Sequence, residues 1–599
     1  MTALDTAVIA SYFAAVLGLG VIFRRRAARN LDAYFLGGRR LHWLTLAMSG
    51  SVSNFDITGT MWIVSILFVL GMKSMWHHWM WGFLMGAFFL AYMGKWVRRS
   101  NVMTAAEWME TRFGGGTAGK TARTAYALMA VLTLAGFIGY AFQGIGKFAA
   151  TTIPTEFLAR LVPSGWTAGL LTEHKAAFLA VVIIGVTTVY VVMGGLFSVV
   201  ATDVLQTVVL TASSILIAVI AWNRTSPETM ARLPGDFASL KVPWRIPEFQ
   251  GTSNAAFEFF GALVVIWVIK GLLMNAGGPA QMYDFQRFLA ARSDRDAAKV
   301  GAAWSLFLVV RWALVMGIVV LALTGTREFS DPEKVMPVIL GDILPAGVRG
   351  VVIAGLLAAF MSTFSSTVNS GASFLVRDLW LPFVRPGAGE REAVRWSYAA
   401  TVFIVVLGVA IGLQSSSIAE IWNWLMVSLG AGVIIPNVLR WYWWRMNGWG
   451  YALGMLGGMG LSIVTLFFKD MPVFVSFPLI VSVSFLASVV GSLATRPTGP
   501  EVLARFFRSV RPFGLWKPVR EKSCLSKEGR TRPSEKPSLA ILNVVLGMTA
   551  IFALYLAPMY LVGHWAGRAL LWLGIGTAAV LVLWRTWYRN LPGDDGLSV

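Results

Sequence analysis

Hydroxyls crowd one stretch of this chain. Between Ala354 and Asp378 stand Ser362, Thr363, Ser365, Ser366, Thr367, Ser370 and Ser373. On a helix at about 100° per residue, Ala359, Ser362, Thr363, Ser366, Ser370 and Ser373 share one face. Leu356, Phe360, Phe364, Val368 and Leu375 take the other. Two kinds of chemistry suit the first face. Small residues let membrane helices approach closely, and their hydroxyls bond back to the preceding turn. Neutral hydroxyl and carbonyl oxygens also suit a hard monovalent cation. The stripe alone does not choose between them.

The charged candidates are fewer. Asp56 sits in LAMSGSVSNFDITGTMWIVSILFVLG, among Ser49, Gly50, Ser51, Ser53, Asn54, Thr58, Gly59 and Thr60. A carboxylate at bilayer depth costs at least about 2.5–3.5 kcal/mol. It is therefore neutralised by a cation, protonated or opened to water. It also reads as a cap accepting backbone N–H groups where the helix breaks. Both roles stay open. Lys270 and Arg311 fall inside apolar runs as well, and Lys270 either snorkels or meets an acid. A second interrupted run, VVIWVIKGLLMNAGGPAQMYDFQR, carries Asn275, Gly277, Gly278 and Pro279.

The elements that hold these residues are membrane helices. The chain has 599 residues, of which 56% are hydrophobic and 13% charged. A soluble protein carries about 25% charged residues. Apolar runs of about 20 residues recur from end to end, each long enough to span about 30 Å of hydrocarbon. The expected class is an all-α polytopic membrane protein with about 13–15 transmembrane helices. The first run has no basic leader and is read as a retained helix. The single cysteine, Cys524, excludes a Cys-based metal cage. A net charge of +20 invites a nucleic-acid reading. The Lys and Arg instead gather in every second loop, which fits the positive-inside rule and no nucleic-acid partner. That alternation puts the N-terminus outside and the C-terminus in the cytoplasm.

Three regions follow: a core over 1–495, a basic linker over 496–537 and a helical hairpin over 538–599. The linker, rich in Arg, Lys and Pro, is expected to lie unfolded against anionic headgroups. Trp76–Trp81, with His77 and His78, is expected to form an interfacial aromatic belt with solvated histidines. The two interrupted runs lie five spans apart. An odd number of spans inverts the second unit, so spans two to six and seven to eleven read as inverted five-helix repeats with two broken helices.

One loop carries a signature. GGLFSVVATDVLQ, Gly194 to Gln206, resembles the hallmark of the sodium:solute symporter family. Gln286–Gly301, Leu344–Ser370 and the interrupted second span resemble that family too, over roughly residues 5–490 in order and spacing. The resemblance implies the LeuT-type five-plus-five fold and Na⁺ as coupling ion. It places a main Na⁺ site on the carbonyls of Asn54, Ile57 and Ala359 and the hydroxyls of Ser362 and Thr363, within a register slip of one or two residues at Asn54. It places a second Na⁺ site on Asp203, Ser365 and Ser366; by itself Asp203 reads as a helix cap. Substrate candidates beside the broken helices are Asp56, Thr60, Trp62, Gln143, Asn275 and Gln281. The implied activity is symport of a small organic solute with sodium across the cell (inner) membrane by alternating access, in a protein working as a monomer. Nothing resembles an enzyme: HExxH, GxSxG and paired carboxylates are absent from the sequence. Two rival readings are a proton-coupled carrier of the same fold and a solute-binding membrane sensor.

Overall fold

The computed structural model describes residues 2–27, 41–102, 104–155, 173–252, 254–278, 284–415, 417–465, 467–468, 471–523 and 536–593. Among them, ten helices are long and apolar enough to cross a membrane, and three shorter apolar helices accompany them. The chain opens with α1, Ala3–Ala27. The second span is cut in two: α2, Trp43–Asn54, and α3, Ile57–Leu70. Gly71, at φ +61°, then turns the chain into a 3-10 segment, Gly71–Met80. A Cβ at Gly71 would lie 2.6 Å from the Phe237 carbonyl, so only glycine fits this turn.

The first repeat continues through α4, Thr117–Thr152, and α5, Lys175–Arg224. Both ends of α5 lie on one face. Lys175 bonds the Ile153 carbonyl at the end of α4, where Lys147 pairs with Glu333. Arg224 bonds the Ile343 carbonyl, ten residues beyond Glu333. The second repeat begins with α6, Phe260–Ala276, which stops at the second break, Gly277 and Gly278. It goes on through α7, Asp294–Phe307, α8, Val309–Thr324, α9, Val348–Ser373, and α10, Glu390–Leu413. Its last span ends in α11, Gly430–Tyr442.

Close approach rests on small residues. A Cβ on Gly50 of α2 would stand 2.0 Å from the Trp304 ring of α7. Past the repeats come α12, Gly448–Thr465, and α13, Val473–Ala494. The final pair is α14, Pro537–Val562, and α15, Ala566–Thr586. It packs on the core: Tyr555 stacks on Trp312 of α8 at 5.4 Å, and the Trp587 indole bonds the Leu90 carbonyl at 2.6 Å.

Two sequence expectations fail here. His77 and His78 are each 1% exposed, so they are core residues rather than solvated ones. They face Trp267 at 4.7 Å and Trp312 at 5.0 Å. The stretch 496–537 is not all linker. Pro500–Val510 is a helix whose Leu503, Phe506, Phe507 and Val510 are buried. Phe506 packs on Trp108 at 5.4 Å. The average charge of that stretch hid a helix with its charges on one face.

Candidate functional site

The first break is a set of exposed helix ends, and each end finds a partner. A helix leaves its last four carbonyls and first four amides without intrahelical partners. At the start of α3, the Asp56 carboxylate accepts from the Gly59 amide. The cap reading of Asp56 is therefore met. At the end of α2, the Ser53 carbonyl accepts the Thr363 hydroxyl of α9 at 2.6 Å. The same hydroxyl reaches the Ala359 carbonyl at 3.2 Å. The Asn54 carbonyl instead accepts Arg311 Nη1 at 2.7 Å. The carbonyl that meets the hydroxyl stripe is thus Ser53, one residue before the expected Asn54. Ile57 opens α3 on the far side of the gap.

Arg311 fills much of this gap. From α8 its Nε donates to the Thr60 hydroxyl at 3.2 Å and its Nη2 to the Asp56 carbonyl at 3.5 Å. The guanidinium also lies 5.2 Å over the Phe55 ring. It is 2% exposed. The carboxylate of Asp56 also has this internal cation as its charged neighbour.

A second polar cluster lies deeper along α9. Asp203 of α5 is fully buried. Its two oxygens accept Ser49 and Ser362 hydroxyls, both at 2.5 Å. Arg287, from the short helix Asp284–Leu289, brings Nη2 to 3.9 Å from the same carboxylate. That nitrogen donates to Ser366 at 2.8 Å, and Nε donates to Ser49 at 3.2 Å. Ser365 bonds back to the Ser362 carbonyl at 3.0 Å. Thus Ser362, expected beside Thr363 in one site, turns to Asp203, and a guanidinium stands where the sequence expects a second ion. Arg287 stands near a helix end, where the loop cations gather, yet it is 1% exposed. The signal was in the sequence: it follows Gln286 at the head of the stretch that carries the family resemblance.

The substrate candidates separate. Thr60 bonds back to the Asp56 carbonyl at 2.7 Å and serves Arg311. Gln143 is spent elsewhere: its amide donates to the Gly412 and Ser415 carbonyls at 2.7 and 2.6 Å, closing the end of α10. Trp62 faces His77 at 5.8 Å, and its indole N–H has no partner. Asn275, one turn before the second break, donates to the Gly271 carbonyl at 2.8 Å and leaves Oδ1 unpaired. Gln281 lies outside the described residues. Among those residues no group of three His, Cys, Asp or Glu side chains gathers to hold a metal ion.

Two helices broken in corresponding places of inverted repeats, with polar groups converging at the break, define the class of secondary transporters. The sequence profile of the sodium:solute symporter family matches residues 34–458, and the chain belongs to that family. It is 24% identical to the sodium/mannose cotransporter of Bos taurus, over 78% of this chain and 79% of the relative. It is 23% identical to the osmoregulated proline transporter of Bacillus subtilis, over 81% and 94%. It is 23% identical to the sodium/glucose cotransporter of Vibrio parahaemolyticus, over 86% and 95%. A solved sialic acid symporter, substrate-bound and outward-open, has the same fold at TM-score 0.61 and 17% identity, covering 83% of this chain and 99% of that one. The chain is accordingly a sodium:solute symporter with the five-plus-five fold.

Proposed function

We propose that this protein carries a small organic solute into the cell together with one Na⁺, by alternating access. The observation that carries this is the Thr363 hydroxyl, which spans from the Ala359 carbonyl of α9 to the Ser53 carbonyl at the end of α2. Three neutral oxygens meet there at the negative end of a half-helix, where a cation is favoured. Na⁺ entering between them takes the carbonyls of Ser53, Ala359 and Ile57 and the hydroxyl of Thr363, and Ser362 joins by turning from Asp203. The ion then ties α2 and α3 to α9 and favours the conformation in which these elements are close. A single ion is the stoichiometry we favour, because Arg287 already serves Asp203 and Ser366 with positive charge.

At −100 mV, one charge moved inward contributes about 2.3 kcal/mol, enough to concentrate a neutral solute substantially. The N-terminus faces outside and the C-terminus the cytoplasm, in the cell membrane. The core of residues 1–495 works as a monomer, and the hairpin of 538–599 buttresses α8.

The test is thermal stability of the purified protein in NaCl and in KCl at equal ionic strength. A ligand at 100 times its dissociation constant stabilises by about 2.7 kcal/mol. The parent midpoint rises in NaCl, and Thr363→Ala loses that rise. A parent that responds equally to both salts removes the sodium site.

A further inference from the structure

Among the described residues, Lys270 is a buried cation without a counter-charge. It lies on α6, is fully buried, and spends its ammonium on one acceptor, the Met80 carbonyl. Its other contact is the Met274 sulfur at 3.9 Å. An ammonium has three donors, so donor capacity is left over. Among the described residues no carboxylate comes within 4.0 Å of it. Two carboxylates at the helix breaks and on α5 are engaged elsewhere: Asp203 by Ser49, Ser362 and Arg287, and Asp56 by the Gly59 amide. An ionisable side chain kept in a membrane interior without a partner marks a functional site by default.

The surroundings of Lys270 point to a ligand independently. Trp267, one turn before it, holds His77 edge-on at 4.7 Å. Neither ring nitrogen of His77 has a partner, although the side chain is buried. The indole N–H groups of Trp62, Trp79 and Trp424 and Oδ1 of Asn275 are buried and unpaired as well. Buried polar atoms are ordinarily bonded, so the unpaired nitrogens of His77 and of Trp62, which faces it at 5.8 Å, point to a missing partner. Gly430 keeps the backbone close: a Cβ there would stand 3.2 Å from Lys270 Cε and 3.6 Å from Nζ. The elements that meet here, the 3-10 segment, α6 and α11, come from both repeats, about two turns before the second break.

We propose that Lys270 receives an anionic group of the transported solute, a carboxylate, while Trp62, Trp267 and His77 cover its organic body. The inference rests on the symporter reading and narrows it to organic anions. A carboxylate supplies what the site lacks: a negative charge for the ammonium and acceptors for unspent N–H donors. The rings offer an apolar wall for a carbon skeleton. It also changes the energetics. One Na⁺ with one monoanion moves no net charge, so uptake draws on the sodium gradient alone.

The experiment is thermal stability of the purified full chain in sodium sulfate. The probes are lactate, benzoate, nicotinate and indole-3-acetate, each beside its neutral amide. One or more carboxylates raise the midpoint and the amide does not. Lys270→Gln weakens the half-saturating concentration at least tenfold, and Lys270→Arg restores part of it. Lys270→Met, which keeps length and removes the buried charge, serves as the folding control. Absence of any carboxylate response, a response that survives in Lys270→Gln, or a shift produced by chloride alone would overturn the proposal. The sodium-against-potassium comparison is run on the same samples. A parent that responds to Na⁺ but to no carboxylate loses only this inference, and a parent blind to Na⁺ loses the sodium reading itself.

Discussion

Two polar clusters of this protein are built from similar stock and differ in how completely they are paired. Around Asp203, every group engages another: two serine hydroxyls hold the carboxylate, and Arg287 holds Ser49 and Ser366. Around Lys270, one carbonyl answers the ammonium, while His77, Trp62 and Asn275 keep atoms without partners. The first cluster is a finished network that fixes α2, α5 and α9 against one another. The second is held in place by its neighbours and is complete only with something added. A satisfied network stabilises the fold, and an unsatisfied one costs stability that a ligand returns.

Breaking the finished cluster gives the largest effect. Arg287→Met strips the cation from Asp203, and loss of one partner of a buried pair costs about 3–5 kcal/mol. A lower thermal midpoint checks it, and Asp203→Asn in the same chain restores much of the loss. The unfinished cluster reverses the sign. Lys270→Met leaves no uncompensated charge behind, and replacing buried charge with apolar bulk is neutral or stabilising by about 1–4 kcal/mol. Its midpoint without solute therefore equals or exceeds that of the parent.

Arg311 resembles the first case. Arg311→Met frees the Asn54 carbonyl and the Thr60 hydroxyl at the first break. Hydrogen bonds to charged groups contribute about 1.5–3 kcal/mol each, so the midpoint falls by an amount comparable to that in Arg287→Met. The Na⁺ response measures the remainder, because the loosened α2 end presents Ser53 less firmly. The smallest change is His77→Phe. It removes two unpaired nitrogens and keeps the ring contacts with Trp62 and Trp267, so stability moves by less than about 1 kcal/mol. A large loss there, read by the same melt, would mean His77 already has a partner and would blur the contrast.

Both breaks were legible in the sequence. Polar residues around Asn54-Phe55-Asp56 and the Gly277-Gly278-Pro279 run cannot continue a lipid-facing helix, and α2 and α6 end there. The hydroxyl face of α9 was legible too, since helical periodicity fixes which residues share a side. What that face meets was not. Thr363 found Ser53 while Ser362 found Asp203, because neighbours on a helix point about 100° apart and a site can take one without the other. Arg287 escaped because charge counting treats every arginine near a helix end as solvated. Trp76–Trp81 escaped for a related reason. Aromatic residues near a span end fit an interfacial belt, and only the turn at Gly71 folds them inward.

Arg112 carries a consequence of another kind. It is fully buried, and its guanidinium donates to the carbonyls of Arg440, Trp443, Trp444 and Met446, at 2.9, 3.0, 3.3 and 3.2 Å. Connections between helices are where chains ordinarily gain and lose residues. Here four carbonyls within seven positions answer to a single planar group. One inserted residue would swing the later carbonyls out of its reach. The length of this connection is therefore fixed as firmly as any residue in it, and a variant that lengthens it loses the joint between the two repeats.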